Sequence, residues 1–171
     1  MSAESYEHLR ALIVEDNAHM RTLLRSLLHA LGIKNVREAQ DGTSGYNEIR
    51  FCDPDLVLTD LSMSPMDGIA FTRQVRTAED SPNPYVPIIM LTGHTERQRV
   101  EAARDAGVTE FLAKPLTIQN LMSRLAEIVE RPRPFVRCDG YFGPDRRRRR
   151  KPNYSGPWRR MDDVRDDMEV R

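Results

Sequence analysis

The chain has 171 residues, of which 39% are hydrophobic and 30% charged, a size and balance that fit one folded domain with some chain to spare. No apolar run approaches the roughly 18 residues that a spanning helix needs, and the opening MSAESYEHLR lacks the apolar stretch of a secretory signal, so membrane insertion is excluded and a cytoplasmic location is expected. The formal net charge of zero conceals a division: residues 1–130 hold 13 Lys+Arg against 19 Asp+Glu, a net of −6, and residues 131–171 hold 13 against 7, a net of +6.

An acidic body and a basic tail read as two functional units, with the boundary near Arg131 and residues 1–8 as a short leading arm. Cys52 and Cys138 are too few for a disulfide framework or a metal cluster and are expected as unpaired thiols.

Leu9 and Ala11–Val14 form a short apolar run, as a strand buried on both faces does. After Asn17, a plausible cap, Met20, Leu23, Leu24, Leu27, Leu28 and Leu31 keep helical spacing up to Gly32. Val36 and Ala39 suggest a second strand, Asp41-Gly42 a turn, and residues to about Phe51 a weaker helix. Leu56–Thr59 reads as a third strand and Gly68–Thr77 as a helix. After a loop with Pro82, Pro84 and Pro87, Val86–Leu91 reads as the fourth strand. A helix with Thr95 as candidate cap ends at Ala106-Gly107. Glu110–Ala113 is a short fifth strand, and Ile118, Leu121, Met122, Leu125, Ile128 and Val129 mark the last amphipathic helix. Strands alternating with helices predict an α/β fold: a five-stranded parallel sheet, doubly wound, with right-handed crossovers.

In such a sheet the functional site lies beyond the carboxyl ends of the strands. Glu15 and Asp16 end strand one, Asp60 strand three, Thr92 strand four and Lys114 strand five. Clustered carboxylates repel one another, and a hard divalent cation such as Mg²⁺ (or Mn²⁺), bound through oxygen, relieves that repulsion. A carboxylate beside such a cation can attack a phosphoryl group and become an acyl phosphate, while Lys114 and the Thr92 hydroxyl balance the charge of the transferred group. Taken singly, each residue also has an ordinary reading: a helix cap for Asp16, a turn former for Thr92, a solvated loop residue for Lys114.

Residues 9–130 resemble a response-regulator receiver domain of two-component signalling, on the segments ALIVEDN, LVLTDLSMSPMDGIAF, VPIIMLTGH and GVTEFLAKPL in the order the family uses. The resemblance implies the flavodoxin-like strand order 2-1-3-4-5. It also implies Asp60 as phosphoryl acceptor, Glu15 and Asp16 as the metal-binding acidic pair, and the backbone carbonyl of Ser62 as a further metal ligand. Thr92 becomes the switch hydroxyl, Phe111 the coupled aromatic, and Lys114 the phosphate-contacting cation before a cis peptide to Pro115. The implied partner is a sensor histidine kinase or a histidine phosphotransfer protein, and the implied role is signalling, not enzymatic turnover, although such a domain can catalyse its own phosphorylation and dephosphorylation. The response would change the face formed by the fourth and fifth helices, to the point of a phosphorylation-dependent dimer. An aspartyl phosphatase fits less well, because Ser62 stands where a general acid would be wanted. Two departures stand out: Pro65 lies one position later than usual, and His94 sits where side chains influence access of water to the acceptor.

The tail, residues 131–171, has prolines at 132, 134, 144, 152 and 157, the run Arg146–Arg150 with Lys151, and the aromatics Phe135, Tyr141, Phe142, Tyr154 and Trp158. It shows no periodic apolar pattern and is expected to be largely irregular and extended unless docked. YFGPDRRRRR and YSGPWRR share an aromatic-x-Gly-Pro-x-Arg-Arg pattern. Docking on an unknown downstream protein or on the chain's own acidic body is the favoured reading. The alternative is a DNA-associated regulator in which basic residues bind phosphates and aromatics stack on bases, but no DNA-reading unit fits this composition.

Overall fold

The computed structural model describes residues 6–93 and 97–146. Thr95, His94, Tyr154, Trp158 and the basic run from Arg147 to Lys151, all singled out above, lie outside the described residues. The elements in chain order are β1 (Arg10–Val14), α1 (Ala18–Ala30), β2 (Asn35–Ala39), α2 (Gly42–Cys52), β3 (Leu56–Asp60), α3 (Gly68–Thr77), β4 (Ile88–Thr92), α4 (Arg97–Ala106), β5 (Glu110–Ala113), α5 (Ile118–Glu130), β6 (Phe135–Cys138) and β7 (Tyr141–Pro144). The first five strands pair in parallel in the order 2-1-3-4-5.

The continuous apolar runs are explained by two cores, one on each face. Ala11 and Ile13 of β1, Leu56 and Leu58 of β3 and Ile89 and Leu91 of β4 pack with Leu24 and Leu28 of α1 and Leu121 and Leu125 of α5. Their neighbours Leu12, Val14, Val57 and Ile88 point the other way, toward Tyr46 and Ile49 of α2 and Phe71 and Val75 of α3. Successive side chains of a strand alternate between faces, so a strand covered on both sides has no polar positions to spare.

Two local expectations change. Asp41 caps α2 rather than turning before it: its side chain accepts from Ser44 N while the Ser44 hydroxyl accepts from Asp41 N, a reciprocal capping arrangement. Strand four begins at Ile88 rather than Val86, because the Val86 carbonyl accepts from Arg76 Nη1 at 2.8 Å instead of joining the strand ladder.

The first part of the tail is docked. β6 and β7 form an antiparallel hairpin in which Cys138 pairs with Tyr141 around Asp139-Gly140, with Gly140 at φ +77°. Phe135, Phe142 and the loop residue Tyr85 make an aromatic triangle with ring centroids 5.2–5.6 Å apart. Gly143 lies so close to Gly107 that a side-chain carbon on it would sit 2.8 Å from the Gly107 Cα. Beneath the hairpin, Arg76 of α3 is buried, with its guanidinium 5.0 Å from the Phe135 ring centroid. It donates to the carbonyls of Gly107, Pro84 and Val86 and to the Thr109 hydroxyl. Burial pushes the pKa of this guanidinium below its ordinary value, and bonds to four oxygens make its charge tolerable there. Arg133 reaches the buried Glu110 at 3.1 Å and Arg146 reaches Asp105 at 3.0 Å while lying over the Tyr141 ring. All of these contacts gather where β4 and β5 begin, so in a parallel sheet the hairpin occupies the end opposite Asp60, Thr92 and Lys114.

Candidate phosphoryl-acceptor site

β1, β3, β4 and β5 run side by side in one direction, so the residue that ends each strand emerges on one edge. Glu15 and Asp16 follow β1, Asp60 is the last residue of β3, Thr92 the last of β4, and Lys114 follows β5. Carboxylate oxygens of Glu15, Asp16 and Asp60 lie within 4.8 Å of one another. Lys114 Nζ donates to Asp60 Oδ1 at 2.8 Å, and Lys114 N donates to the Thr92 carbonyl at 2.8 Å, which fixes the β5 end against β4. Glu15, Asp60 and Thr92 are buried, and Asp16 is exposed.

The residues expected from the sequence divide into those the fold gathers and those it sets at a distance in role. Glu15, Asp16, Asp60, Lys114 and Thr92 share the strand-end edge. The Ser62 side chain points to α4, where its hydroxyl accepts from Arg99 Nη1 at 2.8 Å. Phe111 pairs with Met90 inside the sheet and packs, half-buried, beside Leu61, Met90, Ala103 and Val108. The peptide bonds before Pro65 and Pro115 are both cis.

Burial, with the charge of Asp60 beside it, pushes the Glu15 carboxyl up to about 7 against the bond it accepts from Asn17 N. Glu15 Oε2 is buried and receives no hydrogen bond. An orphaned carboxylate oxygen among two other carboxylates is what a hard divalent cation would satisfy, and a donor set made wholly of oxygen suits Mg²⁺.

Three positions that strand-end reasoning does not single out shape this site. Arg21 of α1 donates to the backbone carbonyls of Glu15 at 2.7 Å and Asp16 at 3.3 Å, and so holds the acidic loop from behind. Gly68 begins α3 against the end of β3: a side-chain carbon there would sit 2.1 Å from the Asp60 carbonyl oxygen. Arg99 joins α4 to the loop after Asp60 through Ser62 and Asp67. The Asp67-Gly68 pair at a helix start carried a signal, cap followed by a residue without a side chain, whereas the two arginines read only as solvated helix residues.

Residues 11–126 match the response regulator receiver domain model. The chain belongs to this family. It is 34% identical over 131 residues to chemotaxis protein CheY-3 of Vibrio cholerae, covering 77% of this chain and 99% of that one, and 35% identical over 123 residues to chemotaxis protein CheY of Pseudomonas aeruginosa, covering 72% and 98%. Among solved structures it is similar to the receiver domain of sensor histidine kinase PA1611 from Pseudomonas aeruginosa, described with a magnesium ion coordinated in the active site cleft (30% identity, TM-score 0.64, 71% of this chain and 98% of that one). It is also similar to a response regulator from Chloroflexus aurantiacus (29% identity, TM-score 0.66, 72% and 98%). The receiver is therefore a phosphoryl-accepting signalling module of two-component systems, with the five-stranded fold of its relatives. Among the described residues, no helix is long and apolar enough to cross a membrane.

Proposed function

We propose that Asp60 accepts a phosphoryl group from a phosphohistidine on a sensor histidine kinase or histidine phosphotransfer protein, and that the receiver then signals by phosphorylation-dependent protein–protein interaction. The observation that carries this reading is the 2.8 Å contact of Lys114 Nζ with Asp60 inside a group of three carboxylates.

In the transfer, a carboxylate oxygen of Asp60 attacks phosphorus opposite the imidazole nitrogen. The O–P bond forms as the N–P bond breaks, and the electron pair of the broken bond leaves on the imidazole. Lys114, already on Asp60, balances charge on the phosphoryl oxygens, and the Thr92 hydroxyl donates to them from the end of β4. Glu15, Asp16, Asp60 and the Ser62 backbone carbonyl would hold Mg²⁺ or Mn²⁺, which when bound supplies the remaining charge neutralisation. Burial of Glu15 and Asp60 keeps water from competing for these groups.

Incubation with acetyl phosphate and Mg²⁺ is expected to add one phosphoryl mass to the wild type, none to Asp60→Asn, and none to either protein after chelation. Intact-mass measurement reads the result, and label that persists in Asp60→Asn would rule out this acceptor.

We also read Thr92 and Phe111 as the parts that carry the phosphorylated state outward, to the face of α4 and α5. The support is positional: Thr92 follows directly on the residue paired with Asp60, and Phe111 packs against the cluster that includes Ala103 of α4. Thr92→Ala is expected to take up the phosphoryl group yet lose the phosphorylation-dependent gain in partner affinity, measured by titrating a downstream partner of the phosphorylated receiver against both forms. An equal gain in wild type and variant removes Thr92 from the switch. The engagement of Arg146 with Asp105 and Tyr141 favours docking of the tail on the chain's own body over a DNA arm for this part of it.

A further inference from the structure

The loop between β3 and α3 is held from two sides. At its base, Gly68 N donates to the Leu61 carbonyl at 3.1 Å. From α4, the guanidinium of Arg99 spans the loop, with Nη1 2.8 Å from Ser62 Oγ and Nη2 2.7 Å from Asp67 Oδ2. The other Asp67 oxygen accepts from Ala70 N at 2.8 Å, so the residue that Arg99 grips is itself pinned as the cap of α3. A planar fork that bonds two loop residues at once restricts the loop more than a point charge could. The segment so restricted includes the Ser62 backbone.

We propose that Arg99 is a positioning residue of the cation site: by clipping the 62–67 loop to α4, it holds the Ser62 carbonyl ready to bind a divalent cation. This rests on the reading of Glu15, Asp16, Asp60 and Ser62 as that site. Holding the loop in place before binding removes an ordering cost from the binding step. The opposite influence also exists, because a guanidinium charge near a cation site repels the cation. The two influences predict changes of opposite sign: loss of charge alone tightens cation binding, and loss of the clip weakens it. Groups that orient metal ligands from behind typically contribute about tenfold or more in affinity, so the clip is expected to win.

The test is calorimetric titration of MgCl₂ into the full chain without phosphodonor, for wild type, Arg99→Met and Arg99→Lys, beside thermal unfolding of each in the absence of Mg²⁺. Both variants are expected to bind Mg²⁺ about tenfold more weakly, Arg99→Lys included because it keeps the charge and loses the fork, while their metal-free unfolding midpoints stay at the wild-type value. Binding as tight as wild type, or tighter, in Arg99→Met overturns the inference and leaves the site reading standing. A wild type that takes up no Mg²⁺ overturns the site reading, and the inference with it.

Discussion

A chain cut after Arg131 is expected to have an unfolding free energy about 3 kcal/mol or more below that of a chain cut after Arg146. The shorter piece loses Phe135 and Phe142 from the aromatic triangle and opens the site over Arg76, which the hairpin otherwise leaves 2% exposed. It also takes Arg133 away from Glu110, a carboxylate 4% exposed that then keeps its 3.5 Å contact with Arg124. Glu110 thus loses one of the arginines that reach it and keeps another, so the larger part of the loss comes from the packing of the hairpin. Burial of two phenylalanine rings adds about 1.5–3 kcal/mol each where burial is complete, and proportionately less for the half-buried Phe135. Urea titration of the two lengths measures the difference, and coincident midpoints for the 1–131 and 1–146 pieces would show that the hairpin does not stabilise the receiver. A truncation meant to test signalling should therefore keep the hairpin, so that the loss of its packing is not mistaken for a change in signalling.

The second large effect is expected at Gly68. Gly68→Ala would place its new carbon 2.1 Å from the Asp60 carbonyl oxygen, a backbone atom of a central strand that has little room to move. Either α3 withdraws from β3 or the end of β3 shifts, and both disturb the bond from Gly68 N to Leu61 O that closes the loop after Asp60. Overpacking of this kind costs about 1–3 kcal/mol, or roughly 3–10 °C in unfolding temperature for a chain of this size. Calorimetry should show the loss, and acetyl phosphate labelling of the folded variant should be slower because Asp60, the proposed acceptor, has moved. A variant that melts and labels like the wild type would mean that the contact at Gly68 is relieved without cost. Gly143→Ala makes a useful comparison, because it crowds the hairpin contact with Gly107 at the other end of the sheet and should lower stability without slowing labelling.

The strand-end site was legible because parallel strands make a simple promise. Each apolar run ends on the same edge, so the residues that follow the runs, Glu15, Asp16, Asp60, Thr92 and Lys114, must meet however far apart they lie in the chain. The two-faced burial of β1, β3 and β4 was equally local information, because a strand without polar alternation has no face to give to water. The β6–β7 hairpin had one local signal, the two-residue Asp139-Gly140 connection, but its strands are four residues each and carry no alternation of their own. What makes them stable lies elsewhere: Gly107, whose missing side chain admits the Phe142 carbonyl, and Tyr85 and Arg76, which complete the surface beneath Phe135 and Phe142. Arg76, Arg99 and Arg21 show the same division most plainly. An arginine on an amphipathic helix reads as a solvated side chain, and nothing within its own helix says otherwise. Its role here is decided by backbone carbonyls and loop side chains that reach it only after the sheet has closed, because a guanidinium satisfies its donors with whatever oxygens the fold brings within about 3 Å.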